Sequence, residues 1–330
     1  MERPAEGWDK RICGRELLYR GLNGRNVERV WLASGESFIL KPLPADDSIN
    51  REAWVYEHVL PMFPPVFPRL AASSSVSGMP GRGWLLFEDM GELNHSFSEE
   101  TAVLLAAAVA EWHSLPVSRW ADAPLSGPKP GIEAMAAELM EDGRKPSPDG
   151  SAGGPGERDA AEVIRALARR LNLHEIEVES VLKLWEQEKP SPETVMCHGD
   201  LHLGNYAVKD GRLIVLDWEH AHPNYPYWDL YHLIDLSHPV FPKTVTASVR
   251  ERVLDVYVER RGLRGFPSDP GTFKRGYALF ASIFSLWMLR LIAADLESGG
   301  DVPWTPDQLK RQRTETEAAL EACLSMLNLR

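Results

Sequence analysis

The sequence is poor in cysteine, short of positive charge and without an uninterrupted long apolar run, and each shortage removes a class of protein. Cys13, Cys197 and Cys323 are the only cysteines in 330 residues, and no C-x-x-C pair occurs, so neither a disulfide framework nor a cysteine-rich zinc fold is expected. Thirty-six basic residues against 48 acidic ones give a net charge of −12, which repels nucleic acid and anionic membrane surfaces and tolerates cationic ligands. The N-terminal stretch MERPAEGWDKRICGRELLYR is charged where a signal peptide needs an apolar run, and the expected location is a reducing cytoplasm. The most apolar window, Tyr277 to Ala294, carries Arg290, Ser282 and Ser285 and reads as a buried core helix rather than a membrane span.

What is present is enough apolar residue, 44% of the chain, for one large domain or two lobes that fold without an obligate protein partner. Strand and turn signals dominate up to about residue 92. Val27 to Leu32 and Phe38 to Leu40 flank Ser34-Gly35-Glu36 as a hairpin, and the period-2 rule sends Lys41 to the same face as Ile39. Ser48 can N-cap a following helix that Pro61 ends, and Trp84 to Phe87 reads as another strand. Beyond Ser98 the pattern is helical, with helices expected before Pro116 and Gly143 and over residues 159–171, 176–188, 244–261, 271–294 and 306–327. Gly143 to Arg158, rich in Gly, Pro and Ser, reads as a loop. Most of the acidic excess falls in the helical part, and no internal repeat is evident.

The chemistry concentrates in CHGDLHLGNY, residues 197–206, followed by AVKDGRLIVLDWEH. Asp210-Gly211 between two strand-like runs is a strong type I′ hairpin signal. With Lys209 opposite Arg212, Asn205 falls opposite Leu216 and Asp217 opposite Gly204, and Asp200 lies just upstream on the loop that enters the hairpin. Convergent carboxylate and carboxamide oxygens suit Mg²⁺ held in partnership with substrate phosphates, and a carboxylate beside them can orient an attacking hydroxyl. Such chemistry also needs a phosphate-binding cation and an acid to hold it, which Lys41 and Glu52 are placed to supply; Glu52 is preferred to Glu57 because it lies nearer the strand end.

The set Lys41, Glu52, FEDM, HGDLHLGN and LIVLDWE resembles the aminoglycoside phosphotransferase and choline kinase-like family of small-molecule kinases, in order along nearly the whole chain. The resemblance implies an α+β, two-lobed protein-kinase-like fold. Residues 1–92 would form a nucleotide-binding lobe, an antiparallel sheet with one main helix, and residues 93–330 a mainly helical catalytic and substrate-binding lobe. It implies ATP and Mg²⁺ as cofactors, Asp200 as catalytic aspartate, Asn205 and Asp217 as metal ligands, and Lys41 on the ATP phosphates paired with Glu52. Backbone between Glu88 and Met90 would meet the adenine, with Leu216 or a neighbour packed beneath it, and Gly21, Gly24 and Asn26 would cover the phosphates. His198 would brace the catalytic loop, as would Asp229. The absence of G-x-G-x-x-G, Asp-Phe-Gly and Ala-Pro-Glu argues against a protein substrate and for a small-molecule hydroxyl acceptor, for example a cationic one such as an aminoglycoside, another antibiotic or an amino alcohol.

Two other readings stand beside this one. A zinc hydrolase would use His198, Asp200, His202, His220 and His222, leaving Lys41 and Glu52 idle; a non-catalytic kinase-like binding protein would keep the fold alone. Glu219, His220 and His222 line the substrate side or a solvated loop. Trp218, Tyr225, Tyr227, Trp228 and Tyr231 pack the core or form a cage for a quaternary ammonium.

Overall fold

The computed structural model describes residues 11–21, 24–43, 50–74, 83–120, 123, 125–144, 160–190, 193–298 and 302–330. The chain begins with β1 (Ile12–Arg20), β2 (Asn26–Leu32) and β3 (Ser37–Pro42), then helix α1 (Arg51–His58), β4 (Leu70–Ser74) and β5 (Trp84–Glu88). These strands form one antiparallel sheet in the order β1-β2-β3-β5-β4. The alternation read from the sequence holds: Phe38 packs with Val30, Leu32, Leu86 and Ala72 on one face, while Ile39 joins Leu85 and Phe87 in the main core on the other, the face that Lys41 shares. The expected cap Ser48 lies outside the described residues. α1 instead starts after Asn50, which adopts a left-handed φ of 52° and makes no side-chain cap. The strands β1 and β4 were not legible in the sequence.

A linker leads to α2 (Glu99–Trp112), α3 (Ile132–Arg144), α4 (Ala160–Leu171) and α5 (Glu175–Gln187). Short β6 (Val195–Cys197) precedes the hairpin β7 (Tyr206–Lys209) and β8 (Arg212–Val215), and β9 (His222–Asn224) pairs back onto β6. Then come α6 (Tyr227–Ile234), α7 (Ala247–Leu263), α8 (Pro270–Glu297) and α9 (Pro306–Met326). Cap chemistry sets several of these starts. The side chains of Ser98, Thr246 and Asp269 accept from the backbone N–H three residues on, and Thr305 with Gln308 forms a full capping box. Most of the expected Gly143 to Arg158 loop lies outside the described residues.

The long apolar helix α8 is the axis of this second part. Its length and composition would allow a membrane crossing, but its most apolar window is 83% buried, so it has no face left for lipid. Phe280 and Phe284 are fully buried, and Phe284 stacks on Tyr231 at 4.2 Å and meets Trp228 edge-on at 5.2 Å. Tyr231 and Trp228 belong to α6, so the α8 core fixes the helix whose Asp229 holds the backbone of residues 198–199. Removing this ring should be felt well beyond its own volume: Phe284→Ala is expected to cost about 3–5 kcal/mol, read as a lower urea midpoint, and an unchanged midpoint would show that α6 does not depend on α8.

Candidate active site

The hairpin register expected from Asp210-Gly211 is present. Lys209 pairs with Arg212, Val208 with Leu213, Ala207 with Ile214 and Tyr206 with Val215, and the Leu216 N–H donates to the Asn205 carbonyl at 2.8 Å. Asp210 and Gly211 both have positive φ, 51° and 75°, as a type I′ turn requires. Asn205 and Asp217 therefore sit at the open end of one ribbon. The Asn205 side-chain amide donates to the Asp200 carbonyl at 2.8 Å, which fixes the orientation of the carboxamide.

The loop carrying Asp200 is held from beneath by Asp229 on α6. The Asp229 carboxylate accepts from the N–H of His198 at 2.8 Å and of Gly199 at 3.1 Å, and from His113 Nε2 at 3.2 Å. Asp229 is fully buried; burial alone would raise its pKa, but the His113 hydrogen bond and the donors around it hold it at about 2. Gly199 has φ of +92°, and a Cβ there would lie 2.0 Å from the His220 carbonyl oxygen, so only glycine fits this crossing. Trp228 Nε1 donates to the Gly199 carbonyl at 2.9 Å. His198 joins the Asp200 loop to the end of the β7–β8 hairpin: its Nε2–H donates to the Leu216 carbonyl at 2.8 Å, and its Nδ1 accepts the Asp200 N–H at 3.2 Å. That pattern assigns one tautomer to a fully buried ring and gives His198 a bracing position.

Lys41 reaches across from β3 to the end of the hairpin. Its ammonium donates to Glu52 at 2.8 Å, to Glu219 at 3.3 Å and, most closely, to Asp217. Glu52 is 3% exposed, whereas Glu57 faces solvent, so the acid beside Lys41 is the one nearer the strand. Burial and the neighbouring carboxylates push Glu52 up despite Lys41, and the Lys41 charge holds Asp217 down against its own burial. Asp217 itself adopts φ 61°, a left-handed conformation rare for a non-glycine residue. The 3-10 turn Trp218–His220 that follows turns Glu219 back toward Lys41. Glu219, read from the sequence as lining either the substrate side or a solvated loop, joins the Lys41 cluster instead. Three carboxylates meet one ammonium, an excess of negative charge that suits a hard divalent cation.

The remaining sequence candidates sit around the sheet's mouth. Gly24, with φ of +75°, lies in the β1–β2 turn beside Asn26, and its carbonyl accepts from Arg20 Nε at 2.9 Å. Glu88 ends β5 opposite Phe38, and its N–H donates to the Arg69 carbonyl. The Met90 carbonyl accepts from Lys209 Nζ at 2.6 Å, so the linker is fastened to the β7–β8 hairpin.

The histidine set of a zinc site is not gathered. Both ring nitrogens of His198 are engaged with backbone, and His222 is engaged by the His220 carbonyl and the Asn224 amide, which leaves neither a lone pair for zinc. Trp218, Trp228 and Tyr231 are fully buried and Tyr227 nearly so, which makes them packing rather than a cage.

Sequence reasoning missed two immediate neighbours of Asp200, Lys129 and His232. Lys129 Nζ lies 3.1 Å from Asp200 Oδ1 and 3.3 Å from His232 Nε2, and His202 Nε2 lies 3.6 Å from Asp200 Oδ2. His202 in turn stacks on His238 at 4.4 Å. Nothing in the Pro- and Gly-rich segment around Lys129 signals this placement, which depends on a contact spanning 71 positions. Burial would raise the Asp200 pKa, but the Lys129 charge and the nearby histidines hold it well below the usual carboxylate range. Burial pushes His202 and His238 down to about 4 and His232 to about 3.

Residues 19–266 match the family model described as the phosphotransferase enzyme family. Comparison with curated protein sequences gives no match. Among solved structures, a macrolide 2'-phosphotransferase from Brachybacterium faecium is 18% identical over 94% of this chain and 91% of its own, with a TM-score of 0.51. A putative aminoglycoside phosphotransferase from Ralstonia eutropha is 14% identical over 96% of each chain, TM-score 0.58. A choline kinase from Cryptosporidium parvum is 15% identical over 99% of this chain and 94% of its own, TM-score 0.56. At these identities the structures establish a common kinase-like fold.

The three neutral histidines carry a pH signature. In an unfolded chain each binds a proton near pH 6.5, so the stability of their buried neutral forms is fully present above that pH and is lost as pH falls toward 4. At pH 5 unfolding should take up about three protons from this set, read from the slope of unfolding free energy against pH. His232→Gln should reduce that uptake by about one proton, and an unaltered slope would place the ring in solvent.

Proposed function

The chain belongs to the phosphotransferase enzyme family, and from that premise we propose that it transfers the γ-phosphate of ATP to a hydroxyl group of a small molecule. The observation that carries the reading is the meeting of Lys41 from the sheet with Asp217 from the β7–β8 hairpin, next to Asn205 and within the same loop system as Asp200. In this reading residues 1–92 form the nucleotide lobe and residues 93–330 the catalytic and acceptor lobe. Lys41 binds ATP phosphates and is oriented by Glu52. Glu88 and Met90 flank the adenine, and Gly24 and Asn26 in the first turn lie over the phosphates.

Asn205 and Asp217 are the residues that would hold Mg²⁺, with Glu219 close enough to contribute. The donor set fits: an oriented carboxamide oxygen and carboxylates whose negative charge exceeds that of Lys41. Bound there, the ion would neutralise phosphate charge. Asp200 orients the acceptor hydroxyl and receives its proton. Its low pKa makes it a weak base, so positioning contributes more than proton abstraction.

The acceptor would approach past Lys129, His202 and His238. A cleft lined by His95, Phe97, Leu203, Phe241, Lys243 and Glu315 opens beside this loop and offers aromatic surface together with polar and charged groups to the body of the molecule. The overall acidity that admits a cationic acceptor is not concentrated at Asp200, where a lysine and neutral histidines stand. Three unpaired-in-disulfide cysteines, two of them buried, agree with a cytoplasmic enzyme.

ATP consumption with Mg²⁺ across aminoglycosides, macrolides, choline, ethanolamine and neutral sugars tests the reading. On the acceptor found, Asp200→Ala should lower turnover by about 10²–10⁴ while leaving nucleotide binding intact. Wild-type turnover in that variant would remove Asp200 from the mechanism. Stoichiometric zinc surviving dialysis would instead favour the hydrolase.

A further inference from the structure

We propose that Lys129 is a second catalytic cation, placed by His232 to contact the phosphoryl group as it passes to the acceptor. The proposal rests on the phosphotransferase reading above and concerns the side of the site opposite Lys41.

The geometry is specific. Lys129 leaves a turn between Gly127 and Gly131, yet its side chain is only 21% exposed and its ammonium lies between two fixed acceptors, Asp200 Oδ1 at 3.1 Å and His232 Nε2 at 3.3 Å. His232 is fully buried in α6, and its Nδ1–H donates to the Trp228 carbonyl at 2.8 Å. That bond commits Nε2 to the lone-pair form, so the ring presents an acceptor, not a charge, to the lysine. A surface lysine would not have its second ligand built into a core helix. His232 is thus a positioning residue.

A purely structural brace would be redundant here. The Asp200 loop is already fixed by Asp229 through two backbone N–H groups, by Trp228 through the Gly199 carbonyl, by His198 through the Asp200 N–H and by Asn205 through the Asp200 carbonyl. A partly exposed ion pair adds little stability to such a loop. As an aid to proton abstraction the lysine is counterproductive, because a neighbouring ammonium makes a carboxylate a poorer base. Its benefit must lie in another charge that appears during the reaction.

Phosphoryl transfer supplies one. The acceptor oxygen bonds to the γ-phosphorus as the bond from that phosphorus to the β,γ-bridging oxygen breaks. The bonding pair leaves on ADP, and the hydroxyl proton passes to the Asp200 carboxylate and then to solvent. Negative charge is spread over three equatorial oxygens during this step, beside the carboxylate that holds the hydroxyl. Lys41 faces three carboxylates and has little charge to spare, whereas Lys129 faces one. A cation one hydrogen bond from Asp200 is within reach of the phosphoryl oxygens and can move from the carboxylate to them without leaving His232.

Isothermal titration of the full-length protein with Mg·ADP, and with Mg·ADP plus aluminium fluoride as a mimic of the phosphoryl in flight, tests this without knowing the acceptor. Wild type should bind the fluoride complex more tightly than Mg·ADP. Lys129→Met should lose about 10²-fold of that extra affinity with Mg·ADP binding and unfolding temperature unchanged, and Lys129→Arg should recover part of it. The proposal is overturned if Lys129→Met keeps the full fluoride preference, or if it weakens both complexes in parallel with a fall in unfolding temperature, as a structural role would. Failure of the wild type to bind Mg·ADP at all would instead remove the phosphotransfer reading on which the proposal stands.

Discussion

One ammonium group, that of Lys41, meets carboxylates from three separate places: Glu52 on α1, Asp217 at the end of β8 and Glu219 in the turn beyond it. Because Lys41 and Glu52 belong to the sheet part and the other two to the helical part, this cluster registers one part against the other. It is also unbalanced, three negative groups on one positive, and buried charge that is not fully matched is costly. Glu52 pushed upward is the electrostatic mark of that excess. A site that is over-supplied with carboxylate in isolation is suited to a cation, and the divalent ion proposed to accompany the nucleotide would supply that charge.

The second constraint runs through the backbone. Phe284 of α8 stacks on Tyr231, and with Trp228 it fixes α6. α6 presents Asp229 to the His198 and Gly199 amides, and His198 reaches on to the Leu216 carbonyl next to Asp217. A core aromatic contact is therefore linked by four steps of packing and hydrogen bonding to both proposed functional aspartates. The left-handed conformation at Asp217 is sustained by these fixed partners, since it would not be favoured in a free loop.

Local signals explain why so much of this was legible. Asp210-Gly211 permits few turn geometries, so one dipeptide set the register of Asn205 and Asp217 before any tertiary information. Strand alternation placed Lys41 on the face of Ile39, and the pairing with Glu52 rather than Glu57 followed from helical position. The same local logic located the long helices to within a few residues, because helical patterning and the Pro and Gly residues that interrupt it are local signals. It failed where a residue's position comes from the rest of the chain. Strands β1 and β4 lack strict alternation, Glu219 is turned by a short 3-10 segment, and Lys129 reaches Asp200 from a loop with no periodicity at all. The histidines show the same division: their presence was visible, but whether each ring held a lone pair, a proton or neither depended on carbonyls brought in by folding.

The acceptor side also shows why net charge is a poor guide to a site. A chain at −12 suggests an attraction for cations, yet the groups nearest Asp200 are a lysine and neutral imidazoles. Surface acids act through solvent and are screened within about 10 Å at ordinary ionic strength, whereas Lys129 acts at hydrogen-bond distance inside a part-buried cleft. In the proposed reaction the local cation outweighs the distant anions, so an amine on the acceptor would be better accommodated away from the reacting hydroxyl than beside it. Binding of a cationic molecule and phosphorylation at a particular hydroxyl would then be separate requirements.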